Sequence, residues 1–192
     1  MITIIIVGID ASFTRLGYSV IDTERKIIFI DSLPGKRGST FQSVFQNAII
    51  KANELIKSLK DYDIDYVISE EPFIGREASE GLFLLDGIIN YSLLLKGVKE
   101  IYNTHPSYLK TLHGAKYTKS DSVNLAKEII EVYKQYGFTF NKVRYNDDES
   151  ESFLFATRLY LKKNKDLKFY NDILQVNKKF ELEREKLLYI KS

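Results

Sequence analysis

Apolar residues run almost unbroken from Ile2 to Val7, and the run closes on Gly8-Ile9-Asp10. A stretch this short, β-branched and apolar on both sides predicts a strand buried on both faces. Ala11–Arg15 is a polar turn. Leu16–Asp22 alternates as a second strand and Lys26–Asp31 as a third, joined by Thr23-Glu24-Arg25. Pro34–Ser39 holds one proline and two glycines and reads as a loop. The period then becomes helical: Val44, Phe45, Ala48, Ile49, Ala52, Leu55, Ile56 and Leu59 mark one face of a helix over Phe41–Leu59. Asp65–Ser69 is a fourth strand that stops at Glu70-Glu71-Pro72, because proline cannot donate to a ladder. A helix over Ser79–Lys96 ends at Gly97, and Glu100–Thr104 is a fifth strand. After His105-Pro106 comes a loop rich in Lys, Gly and Tyr. Helices follow over Ser120–Tyr136, capped by Ser120 or Asp121, and over Asp147–Lys163. Phe169–Ile190 keeps a weaker helical spacing through Ile173, Leu174, Val176, Phe180 and Leu187.

The order β-β-β-α-β-α-β-α-α predicts an α/β fold. Three strands joined by short turns form an antiparallel meander, and strands separated by helices add as parallel crossovers. The expectation is a mixed five-stranded sheet flanked by helices in one domain over 1–164. Residues 165–192 form a C-terminal basic helical extension. From 158 to 192 there are ten Lys or Arg against five Asp or Glu.

Composition narrows the chemistry. A chain of 192 residues is long enough to bury a core without staples. The absence of cysteine excludes disulfides, thiolate zinc sites, thiol nucleophiles and iron–sulfur clusters. The two histidines, His105 and His113, exclude a multi-histidine metal site and read as structural. Any bound metal is then a hard cation on oxygen ligands, Mg²⁺ or Mn²⁺. The net charge of +2 is too small to signal nucleic acid by itself. The opening apolar run is too short to span a membrane and lacks a basic leader, so no membrane and a cytoplasmic location are expected.

Four acids fall where an α/β sheet builds ligand sites. Asp10 ends the first strand at the C-terminal edge of the sheet. Glu70 and Glu71 end the fourth strand, and alternation lets only one of them face the side of Asp10. Asp148 and Glu151 lie three apart on one face of the helix that starts at Asp147. Each also fits a plain role: Asp10 as a turn cap, the acids from Asp147 onward as partners of the helix dipole. Four converging carboxylates without a cation would repel one another and titrate upwards. With two divalent ions about 3.5–4 Å apart, they make a site for in-line phosphodiester hydrolysis.

Gly8-Ile9-Asp10-Ala11-Ser12 followed by Leu16-Gly17-Tyr18-Ser19-Val20-Ile21-Asp22 resembles the opening of the RuvC-type Holliday junction resolvases. Ser69-Glu70-Glu71-Pro72-Phe73 resembles that family's second acidic strand end, with Glu70 in the catalytic place and Phe73 as its aromatic neighbour. The stretch Asp148-Glu149-Ser150-Glu151-Ser152-Phe153-Leu154-Phe155-Ala156 resembles its last helix. Pro106–Lys110 and Lys119–Val123 resemble the segment that carries a lysine before the third helix. The similarity spans residues 2–163 in order, and its lysine-rich, cysteine-free style looks most like bacteriophage members. It implies a ribonuclease H-like fold, a homodimer, two Mg²⁺ (or Mn²⁺) ions per site and cleavage of four-way or other branched DNA. The implied metal ligands and catalytic groups are Asp10, Glu70, Asp148 and Glu151, with Lys119 at the scissile phosphate. Two departures stand out. Glu151 occupies a place where aspartate is more usual, and Ala11–Thr14 replaces a glycine-bearing turn.

Charge and aromatic residues add DNA contacts. Lys110, Lys116 and Lys119 follow the fifth strand and flank the acidic edge, where each phosphate neutralised adds sequence-independent affinity. Phe73 and Tyr117 are candidates to stack at an open junction, and Arg76, Lys36 and Arg37 are further phosphate candidates. An actin-like ATPase, which opens similarly, needs two domains and a longer chain. A ribonuclease H-like nuclease acting on RNA or RNA–DNA hybrid, and a non-catalytic DNA-binding relative, remain as alternatives.

Overall fold

The computed structural model of the protein describes residues 3–72, 80–105, 107–114, 117–180 and 188–190. The three opening strands are β1 (Ile5–Asp10), β2 (Arg15–Asp22) and β3 (Ile27–Pro34). Helix α1 (Phe41–Ser58), β4 (Tyr66–Glu70), α2 (Glu80–Lys96) and β5 (Glu100–Thr104) follow. The second half holds α3 (Tyr108–His113), α4 (Lys119–Gln135), β6 (Thr139–Phe140), α5 (Asp147–Lys163), α6 (Leu167–Val176) and β7 (Leu188–Ile190).

The five expected strands are present with the expected directions. β1 pairs antiparallel with β2, β2 antiparallel with β3, and β1–β4 and β4–β5 run parallel. Two short strands extend the sheet to the order β6-β3-β2-β1-β4-β5-β7. β6 is only two residues long, and no hydrophobic alternation announces it. The helical spacing expected through Ile190 is corrected at its end, where Leu188–Ile190 pairs antiparallel with β5. Within the Lys- and Tyr-rich stretch expected to be loop, Tyr108–His113 forms the short helix α3, which buries Tyr108, Leu109 and Leu112.

Strand alternation divides the core in two. Val7, Ile9, Leu16, Tyr18, Val20 and Val67 face α1 and α2. Ile4, Ile6, Ile21 and Ile68 face α3 to α6. Helix α5 crosses directly over β1 and β2 and is buried continuously from Glu149 to Leu161. Two glycines allow this approach. A β-carbon on Gly8 would stand 2.0 Å from the Ser152 carbonyl oxygen, and one on Gly17 would stand 2.1 Å from that of Asp148. The Ser19 hydroxyl donates to the same Ser152 carbonyl at 3.0 Å, tying the helix to β2. Phe169 and Ile173 of α6, and Phe180 beyond it, join the same core. Among the described residues, no helix is long and apolar enough to cross a membrane.

Candidate active site

The acids meet because register and helix docking act together. Ile9 pairs with Ser69, so the next pair in the parallel ladder brings Asp10 level with Glu70. Both positions alternate onto the face that carries Gly8 and Ile68, under α5. Helix α5 opens at an Asn146 cap whose side chain accepts from the Glu149 N–H at 3.0 Å, while the Glu149 carboxylate accepts from the Asn146 N–H at 3.0 Å. This fixed first turn, pressed onto Gly17, directs Asp148 and Glu151 towards Asp10. Asp10, Glu70, Asp148 and Glu151 line one open cleft of about 470 Å³ with Ser12, Thr14, Arg15, Lys119 and Asp147.

The electrostatics are those of crowded like charges. Burial, then Glu151, Glu70 and Asp148, hold the Asp10 carboxyl well above the usual aspartate range. Burial and Glu151 push Glu70 up to about 7, against the opposing pull of Lys110 and Lys119. Burial also raises Glu151, although the Tyr117 hydroxyl and Lys119 favour its charged form. Asp147 moves the other way, lowered first by its hydrogen bond with Lys119. The Lys119 ammonium lies 2.7 Å from Asp147 and 3.4 Å from Asp148, and Arg15 reaches Asp148 at 3.7 Å and Asp147 at 3.9 Å.

Two acids from the cluster serve elsewhere. Glu149 accepts from Ser32 Oγ and Lys142 Nζ, both at 2.8 Å, and so combines capping with an ion pair. Glu71 acts on Asp86 of α2, on the other side of the sheet. Burial, with Glu71 adding to it, raises Asp86 to about 6. The native state therefore binds the extra proton between about pH 4 and 6, and this group's contribution to stability falls as pH rises through that window. Asp86→Asn should remove the slope. Urea unfolding at pH 7 should show the variant more stable than the wild type by about 2 kcal/mol, with the gap closing towards pH 4. Equal pH slopes for the two proteins would refute this reading of Asp86.

Of the other residues singled out by sequence, Lys110 is exposed on α3 and Lys119 begins α4 beside the cleft. Tyr117 turns its hydroxyl inward to Glu151 and Ser122. Phe73, Arg76 and Lys116 lie outside the described residues. Arg15 was not anticipated. Its only sequence signal is its place at the start of β2, immediately across the turn from Asp10.

Five carboxylates line the cleft, Asp147 among them, and no imidazole does, so the acidic donors are all oxygen, which suits a hard divalent cation. Among the described residues, no group of three or more acids or histidines is arranged to hold an ion as it stands. Lys119, Arg15 and Tyr117 pair with the acids instead.

No protein-family model matches the chain, and no curated protein matches its sequence. Solved structures do match in shape. Thermus thermophilus RuvC in complex with a Holliday junction substrate is 15% identical with a TM-score of 0.57, covering 83% of this chain and 95% of that one. A second Thermus thermophilus RuvC structure is 17% identical with a TM-score of 0.53, covering 83% of this chain and 96% of that one. The chain therefore has the ribonuclease H-like fold, a mixed sheet flanked by helices.

Proposed function

We propose that this chain is a divalent-metal-dependent, structure-selective DNA endonuclease that resolves four-way junctions or other branched DNA. The observation that carries the reading is the convergence of Asp10, Glu70, Asp148 and Glu151, from β1, β4 and α5, in one cleft. The fold shared with a protein solved on a Holliday junction substrate supports it. Two Mg²⁺ or Mn²⁺ ions would supply an activated water and charge stabilisation at the scissile phosphate. The four acids would hold the ions. Lys119 and Arg15, both paired with Asp147 and Asp148 in the cleft, draw the phosphate in and balance its charge in the transition state. Lys110 extends this contact along the backbone, and Lys116, Arg76 and Phe73 are proposed to continue it.

The working unit is proposed to be a homodimer. Helix α2 is apolar nearly all round, and such a helix is normally buried on every side. Here Phe83, Gly87, Tyr91 and Leu94, spaced four, four and three, stay outside the core, with Tyr91 62% and Leu94 41% exposed. A β-carbon on Gly87 would meet nothing within 4 Å, although a mid-helix glycine costs about 1 kcal/mol. A second α2 crossing at Gly87 accounts for both, since twofold symmetry sets Phe83 of one copy against Tyr91 and Leu94 of the other. Light scattering should report a dimer for the wild type and a folded monomer for Tyr91→Glu/Leu94→Glu. A wild type that stays monomeric at tens of micromolar would end this part of the reading.

The activity itself is tested on labelled four-way, three-way, flap, duplex and RNA–DNA hybrid substrates with Mg²⁺, Mn²⁺ or EDTA. Paired symmetric nicks in the four-way junction are expected. Cutting of the hybrid alone would assign the chain to RNA processing, and no cutting with either metal would leave a binding protein.

A further inference from the structure

Glu151 is gripped from outside its own helix. The Tyr117 hydroxyl donates to Glu151 Oε1, and Ser122 Oγ lies 3.4 Å from the same oxygen and 2.9 Å from the Tyr117 hydroxyl. Ser122 sits in the first turn of α4 and is fully buried, and Glu151 is 7% exposed. Tyr117 is itself fixed. Its ring stacks on His113 with centroids 5.1 Å apart, and its N–H donates to the Gly114 carbonyl at 3.2 Å. A glutamate has one more rotatable bond than an aspartate, so it needs more restraint to hold a defined position. Two hydroxyls on Oε1, anchored by an element other than α5, supply that restraint and leave Oε2 outside the Tyr117–Ser122 pair.

We propose that Tyr117 and Ser122 are positioning residues that lock Glu151 for cation binding, and that Tyr117 acts through its hydroxyl rather than by stacking its ring on DNA. The proposal rests on the metal-dependent reading of the cleft. It makes the start of α4 a functional support: the segment that brings Lys119 to Asp147 also aligns the last acid. Partners that orient a ligand from behind typically change metal affinity or activity by about 10–100-fold when removed.

The test uses Tyr117→Phe, Ser122→Ala and Tyr117→Ala in the full chain. Mn²⁺ binding to the DNA-free protein is followed by the electron-spin signal of free Mn²⁺. Tyr117→Phe keeps the ring and loses only the hydroxyl. It is expected to weaken Mn²⁺ binding about 10-fold or more and to raise the Mn²⁺ needed for half-maximal cleavage in parallel. DNA affinity in EDTA should stay unchanged, and saturating Mn²⁺ should restore kcat to within a few-fold. Ser122→Ala should move the same readouts in the same direction by less. Tyr117→Phe with wild-type Mn²⁺ affinity overturns the proposal. So does a pattern in which only Tyr117→Ala is impaired, in DNA affinity, because that assigns the ring to stacking. If the wild type binds no Mn²⁺, the metal-dependent reading of the cleft fails first, and the two failures remain distinct.

Discussion

Asp10→Asn should lower junction cleavage by at least about 10³-fold in Mg²⁺ while changing junction affinity no more than a few-fold. Asp10 is the acid through which the cluster is connected, since Glu151, Glu70 and Asp148 all act on it. The amide keeps the shape but lacks the anionic charge that would hold a divalent cation in the proposed site. On the proposed reading, affinity for DNA rests on other groups, the cations Lys110, Lys119 and Arg15, so a gel-shift titration in EDTA separates the two effects. Unfolding is not the expected cause. Removing one of four crowded acids relieves repulsion, and the metal-free variant should melt no lower than the wild type. Glu70→Gln should behave in the same way. Cleavage by either variant at the wild-type rate would remove that residue from the site.

Gly17→Ala should be the more damaging structural change, although it adds only one methyl group. The new carbon would stand 2.1 Å from the Asp148 carbonyl oxygen and 2.4 Å from its carbonyl carbon. These are backbone atoms at the start of a buried helix, so no side-chain rotation relieves the contact. Helix α5 must lift from β2 by more than an ångström to reach ordinary contact distance. The expected destabilisation is about 3 kcal/mol, measured by denaturant unfolding. Cleavage should fall further than stability explains, by about 100-fold in protein that remains folded, because Asp148 and Glu151 ride on the displaced helix. Gly8→Ala, against Ser152 and Ala156 one turn along, should destabilise comparably. Gly17→Ala with wild-type stability would show that α5 does not seat on β2 as described.

Much of this was legible from the chain. Periodicity placed the five main strands and the long helices, because a buried strand and an amphipathic helix each leave a regular trace. Alternation limited Glu70 and Glu71 to one useful acid, and the parallel pairing of β1 with β4 makes it Glu70. The small residues at 8 and 17 were visible too, but only the docking of α5 shows what they are for.

What the sequence by itself determined is therefore local: where each element starts and stops, and which residue types stand at its ends. The tertiary structure decided the pairings between distant residues. It turned Glu149 to Lys142 and Ser32, set Asp147 against Lys119, and sent the Tyr117 hydroxyl to Glu151. It added the edge strands β6 and β7, which join the sheet through backbone pairing. The reason is physical. Propensity and amphipathicity are properties of neighbours along the chain, whereas the charge, burial and restraint of each acid come from groups up to 141 positions away, as Asp10 and Glu151 are.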